Sequence, residues 1–542
     1  MYRTIIFGVS KKINWLWSLP RKTHVFFFTV VPVFFVATFL YPISQSGLSG
    51  DDIPNSMISA ALQANDWTRW KFINLAVKQW KTNEGRFFPV STIENVYIFD
   101  FIHSVFLYKF LQLFVTMLLI ILAAAFIAKL LGSWRILPLA IFVLVSCLQT
   151  RNWYDPTLGF GLLLQSVQIK ILFFLYGVIN FLQIEARRAY FYLSGSVLLW
   201  VMALLQYEVV VTLVPSLLVL LILHRGDYSR KRIVGGLFGA VTAMYLWFVY
   251  QLRTGITASS AYTVNTDASV FIHTYLKQLS GGVPFSATIW SRGAGSPFVA
   301  LSNLPFLHLA LLVTTIVLAV IYRSSLSNVT NRSALILLII GLNFCFGPAI
   351  TTAFSVRWQD EVAWGLSYLS VSFTYTGIAF ISISVMVLAL KAWGRRPAIE
   401  RILVGLFTGF FALSAVSNHA LLDSNANATE HAREQRALYE TAIRQGFFSI
   451  VPDESVVVYP SYDENYWVNN YFTEWLGGPK DLVFVKTLDE ARKKCDQDFF
   501  LSSCQTTFFL EYISTPEFSV GLSLGKFDAL LRSPQSTRQF FG

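Results

Sequence analysis

Long apolar runs separated by short polar segments fill the chain to about residue 421, and a polar stretch of mixed pattern follows. A chain in hydrocarbon must satisfy its own backbone, and roughly 20 apolar residues cover the bilayer core as a helix. Eleven segments fit that template: 25–41, 104–128, 136–150, 158–184, 189–207, 209–223, 233–251, 306–322, 333–350, 367–390 and 401–421. The first, VFFFTVVPVFFVATFLY, is long for a signal-peptide core and lacks a clear small-residue cleavage site, so it predicts an uncleaved first span.

Cations orient the set. Arg3, Lys11, Lys12, Arg21 and Lys22 precede the first run, which predicts a cytoplasmic N-terminus. With that start, Lys129 and Arg135; Arg187 and Arg188; Arg225, Arg230, Lys231 and Arg232; Arg323 and Arg332; and Lys391, Arg395, Arg396 and Arg401 all fall in inner loops. Two outer connections are long, residues 42–103 and 252–305, and function is expected there, where irregular structure concentrates. An odd number of crossings places residues 422–542 outside. This tail, with a helical start TEHAREQRALYETAIRQ and β-rich runs SVVVYP and DLVFV, predicts a small extracytoplasmic α/β domain behind a transmembrane module of residues 1–421.

Composition agrees with an α-helical polytopic membrane protein. Hydrophobic residues make up 54% of the 542, charged residues only 13%, and mean hydropathy is +0.54; soluble domains carry about 25% charged residues. The net charge of +11 would suggest nucleic acid in a soluble protein, but topology explains it here, and no nucleic-acid partner is expected. Cys147 and Cys345 lie in apolar runs, whereas Cys495 and Cys504 fall in the tail, where an oxidising compartment would permit a disulfide. The seven histidines show no HExxH spacing, and GGLFG at 235–239 suits helix packing better than a phosphate cradle.

The outward loops hold the candidate chemistry. Just beyond the first run, SGDDIPN sets Asp51 against Asp52. One Asp ahead of Pro54 can cap a helix; the second is left for catalysis or for a cation. Further along the first loop, WTRWKFINLAVKQW spaces Trp70, Ile73, Val77 and Trp80 on one face, predicting a helix lying at the membrane surface, and NEGRFFP follows with Glu84 and Arg86. Other outward polar residues are Arg151 and Asp155 in QTRNWYDP, Tyr207 and Glu208 in LLQYE, Arg253, Lys277 and Arg292 in the second long loop, and Arg357 in SVRWQDE. Glu208, flanked by apolar residues, is expected to face a cavity unless the turn lies in water. Lys170, inside SVQIKILFF, is expected to snorkel to the interface rather than bind a lipid phosphate.

Many spans with an inside N-terminus, an acidic pair just past the first helix, and an outward C-terminal domain resemble the GT-C glycosyltransferases. Within them, SGDDIPN, NEGRFFP and LLQYE look like the bacterial O-antigen glucosyltransferases of the serotype-conversion type. The resemblance implies a GT-C-like fold in the bacterial inner membrane, a sugar donor on polyprenyl (undecaprenyl) phosphate, and a glycan acceptor such as lipopolysaccharide O-antigen. It implies Asp51 or Asp52 as catalytic base. Glu84, Arg86, Arg151, Asp155, Tyr207, Glu208, Arg253, Lys277, Arg292 and Arg357 are the substrate-binding candidates, the cations among them for the leaving phosphate. No metal-ligand set is expected beyond the acidic pair, so a divalent cation, Mg or Mn, is left open. A flippase of lipid-linked oligosaccharide, or a polymerase or ligase, is the competing reading; the absence of an internal repeat counts against the first.

Overall fold

The computed structural model describes residues 29–151, 155–184, 188–254, 263–290, 297–321, 326, 329–393, 396–444, 456–458, 483–485, 487, 489–490, 507–509, 512–514 and 520–522. The N-terminal cations, Trp153, Arg187, Arg292, Arg323, Arg395, Cys495 and Cys504 lie outside the described residues. The chain divides into two compact units: Met1–Ser46, Leu75–Glu94 and Phe106–Asn427, and Gly47–Asn74, Asn95–Val105 and Ala428–Gly542.

The first unit is helical. Among the described residues six helices are long and apolar enough to cross a membrane: Val105–Leu131, Leu163–Gln183, Tyr228–Thr254, Asn331–Ala353, Val371–Trp393 and Ala398–Thr429. Five shorter apolar helices, Val31–Gln45, Trp134–Cys147, Arg188–Leu204, Glu208–Leu223 and Phe306–Ile321, coincide with the other expected segments. In the most extensive helix pair, Asn331–Ala353 against Val371–Trp393, Gly341 and Gly377 face each other. A Cβ on Gly377 would sit 2.6 Å from the Gly341 carbonyl oxygen, so only glycine permits this backbone approach. Asn343 ties the pair to the next helix: its Oδ1 accepts from Ser216 N (3.0 Å) and Oγ (2.6 Å), and its Nδ2 donates to Thr212 O (2.9 Å).

Several cations of the expected inner loops have a structural task. Arg230 donates to the carbonyls of Phe181 (2.9 Å) and Ile184 at the end of the helix Leu163–Gln183. Arg332 donates to Leu223 O at the end of the helix Val214–Leu223, and Lys391 to Val329 O just ahead of the helix Asn331–Ala353. Carbonyls at a helix C-terminus lack intrahelical donors and carry the negative end of the dipole, so the cations Arg230 and Arg332 belong there.

The second unit opens with Gly47, whose N–H donates to Thr429 Oγ1 at 2.9 Å. Short helices Asp52–Asn55 and Ile58–Ala64 follow. The expected surface helix forms as Arg69–Glu84; Ile73 is buried while Trp70 is exposed. A further helix, Pro89–Phe101, places Asp100 in an ion pair with Arg69, and the Arg69 guanidinium lies over the Phe101 ring at 4.9 Å. The last helix, Pro397–Arg444, runs unbroken past residue 421 into the polar tail. Beyond it, β1 (Val456–Val458), β2 (Val483–Val485) and β3 (Thr507–Phe509) form a parallel sheet in the order β2-β1-β3, and β4 (Tyr512–Ser514) pairs antiparallel with β5 (Val520–Leu522).

Candidate active site

The acidic pair is split by its own turn. Gly50 adopts φ +54°, a left-handed conformation that favours glycine, and this reverses the chain just before the carboxylates. Asp51 then occupies the N-cap position of the helix Asp52–Asn55, yet its side chain makes no capping hydrogen bond. Asp51 is exposed and Asp52 is completely buried. The capping role expected for one of them is not what the Asp51 carboxylate does.

In the first unit three charged clusters form. In one, Glu208 meets two of the expected cations: Arg86 Nε lies 2.9 Å from Oε1, and Arg253 Nη2 lies 3.9 Å from Oε2. Gly85 ends the helix Arg69–Glu84 and the Arg86 N–H donates back to Trp80 O (3.2 Å), which swings the guanidinium over the Phe88 ring at 4.9 Å. Beside these charges the Tyr245 hydroxyl is buried and makes no hydrogen bond among the described residues. The cluster brings two guanidiniums to one carboxylate, and a guanidinium fork suits an anion.

In the second cluster, Arg151 and Asp155 staple an irregular loop. Asp155 accepts from the backbone N–H of Arg151 (2.7 Å), Thr157 (2.7 Å) and Leu158 (2.9 Å). Burial pushes its carboxyl above the usual carboxylate range, opposed by these donors and by the Arg151 charge. The Arg151 guanidinium, 2% exposed, donates to Ser367 O (2.7 Å), Gly281 O (3.3 Å) and the Tyr375 hydroxyl. Its charge is engaged by carbonyls from two other connections, a structural rather than a ligand-facing arrangement.

The third cluster corrects an expectation. Lys170 does not snorkel: it is 7% exposed, and its Nζ reaches Glu94 Oε1 (2.6 Å), Ser166 Oγ (2.6 Å) and Gln206 Oε1 (2.7 Å). Glu94 completes the knot by accepting from Gln206 Nε2 (2.6 Å) and Ser166 Oγ (2.9 Å). An ammonium with a carboxylate and two neutral acceptors in reach gains more by pairing than by extending to an interface. The segment Gln206-Tyr207-Glu208 therefore serves two clusters, Gln206 in this one and Glu208 in the first, while Tyr207 is buried between them.

Arg357 pairs with Glu361 one turn along its helix (3.0 Å) and lies over Trp358 at 4.7 Å. Lys277 sits in the last turn of the helix Ala268–Ser280, and Glu84 ends the helix before Arg86. Glu94, Gln206 and Tyr245 escaped the sequence reading because each is marked by neighbours remote in the chain. Among the described residues no three His, Cys, Asp or Glu side chains gather as metal ligands.

No protein-family profile matches the chain, and no curated protein matches it. Among solved structures it is similar to "ArnT from Cupriavidus metallidurans bound to Undecaprenyl phosphate", at 13% identity and a TM-score of 0.38, over 91% of this chain and 94% of that one. A likeness that weak carries no weight on fold or activity.

Proposed function

We propose that the chain is an inverting glycosyltransferase of the GT-C type at the outer face of a bacterial inner membrane. It moves a sugar, glucose by resemblance, from polyprenyl phosphate to an envelope glycan such as an O-antigen repeat. The observation that carries this reading is Asp51: an exposed carboxylate, set on a glycine turn a few residues past the first apolar helix and doing no capping work. Nucleotide sugars are not supplied outside the cytoplasm, whereas a lipid-linked sugar can be presented there.

In the proposed step an acceptor hydroxyl attacks the anomeric carbon, its proton passes to Asp51, and the bond from that carbon to the phosphate oxygen breaks with inversion. The electron pair leaves on the polyprenyl phosphate, which needs no proton if cations hold it. Within the first unit, Arg86 and Arg253, with the Tyr245 hydroxyl beside them, form a cationic group whose chemistry suits a phosphate. The flippase reading takes Lys170 and Glu208 as intramembrane polar sites; Lys170 is paired with Glu94 and Glu208 with Arg86.

The test is sugar transfer from a radiolabelled polyprenyl-phosphate sugar in membranes carrying wild type or Asp51→Asn at matched expression. Loss of a positioned general base costs roughly 10² to 10⁴ in rate. Full transfer by Asp51→Asn would sink the mechanism.

A further inference from the structure

Away from the charged clusters, the first unit contains a cavity of about 470 Å³, inside the ~300–1,000 Å³ range of small-molecule sites. Three segments wall it: the end of the first apolar helix with Tyr41 and Gln45, the entry into the helix Phe306–Ile321 with Asn303 and His308, and the last helix with His419 and Asp423. Tyr41 and Gln45 follow the first helix and His308 lies in the first turn of its own, so two of the three walls are helix ends.

Among the described residues no Lys or Arg lines the cavity, so they offer a phosphate no cation. Its polar lining is neutral apart from one carboxylate. The two imidazole rings lie 4.5 Å apart, and Phe39 packs on both, at 5.7 Å from His308 and 5.3 Å from His419. The Phe39 carbonyl accepts from His419 Nδ1 at 3.0 Å, which orients the ring and leaves Nε2 of the neutral form as an acceptor. His308 Nδ1 is buried and makes no hydrogen bond of normal geometry. Gln45 and Asn303 each offer both a donor and an acceptor, Asp423 only acceptors, and Tyr41 a half-exposed ring. Sugar hydroxyls both donate and accept, and a sugar's C–H face packs against an aromatic ring; this lining matches both demands. A tethered donor would bring its phosphate with it, and the described lining residues offer that phosphate no cation.

We infer that this cavity binds a neutral saccharide, the acceptor glycan; the assignment as acceptor rests on the proposed glycosyltransferase reading, whereas the saccharide chemistry rests on the cavity. The test uses the full chain carrying Ser424→Cys, an exposed position on the cavity wall. It is labelled with a maleimide beside wild type, which reports the background from native cysteines. The probes are neutral O-antigen polysaccharides released from lipopolysaccharide by mild acid, with glycerol as control. The expected result is that at least one polysaccharide slows labelling severalfold and glycerol does not. Adding Asn303→Leu and Asp423→Asn should remove the protection and raise acceptor half-saturation about tenfold, the equivalent of one or two lost hydrogen bonds, with donor half-saturation unchanged. Labelling that every polysaccharide leaves unchanged overturns the inference, even where wild type transfers sugar normally. Protection without any transfer by wild type keeps the saccharide site and overturns the glycosyltransferase reading.

Discussion

Removing Glu208 would leave Arg86 and Arg253 converging with no carboxylate between them. Arg86 and Glu208 are both largely shielded, and groups in contact couple by about 0.5–3 kcal/mol. A double-mutant cycle of Arg86→Gln and Glu208→Gln, read by unfolding in detergent, should give a favourable coupling of about 1–2 kcal/mol; a coupling near zero would show the pair contributes nothing. Each of these residues was legible as a charge in a poor place for one. Their meeting was not, because Arg86, Glu208 and Arg253 arrive from three separate connections. The different fates of Asp51 and Asp52 were equally hidden, since adjacent residues of a helical turn point in different directions.

At the scale of elements, the Lys170–Glu94 knot joins the helices Leu163–Gln183 and Pro89–Phe101 to the turn at Gln206. Breaking a largely buried pair from one side strands the other charge, at a cost of about 3 kcal/mol. Lys170→Met should therefore lower the melting temperature more than Lys170→Met combined with Glu94→Leu; a double variant less stable than the single would contradict this. The helix Ala268–Ser280 gives a pH-dependent case outside the spans. Asp267 caps it, accepting from the Ser269 hydroxyl and the N–H groups of Val270 and Ser269, and these bonds hold its carboxyl below the usual range. A lowered folded value means the cap is fully effective above about pH 4, the free carboxyl range, and is lost as pH falls through the folded value. Exchange protection at Ser269–Phe271, corrected for intrinsic rate, should fall on acidification in wild type and be low at every pH in Asp267→Ala. Equal protection in both proteins at neutral pH would show the cap to be idle.

At the scale of the whole molecule, the alternation of spans and basic loops predicts sidedness. Fusions at residue 227 should make green fluorescent protein glow, and fusions at residues 285 or 430 should activate alkaline phosphatase; the reverse pattern would overturn the topology and with it the outer-face chemistry. The sequence alone determined where helices form, because the bilayer demands runs of apolar residues and those runs are written in order along the chain. The helices found over Val31–Gln45 through Ala398–Thr429 follow the expected segments closely. It also marked Asp51, Asp52, Arg86, Glu208 and Arg253, since a charge beside hydrocarbon is costly enough to stand out. Only the tertiary structure decided which charges meet, that Arg151 and Lys170 are consumed by their neighbours, and that Tyr41, His308 and Asp423 line one cavity. Helix periodicity is local, whereas pairing and cavities depend on how distant helices pack, and residue order does not specify that.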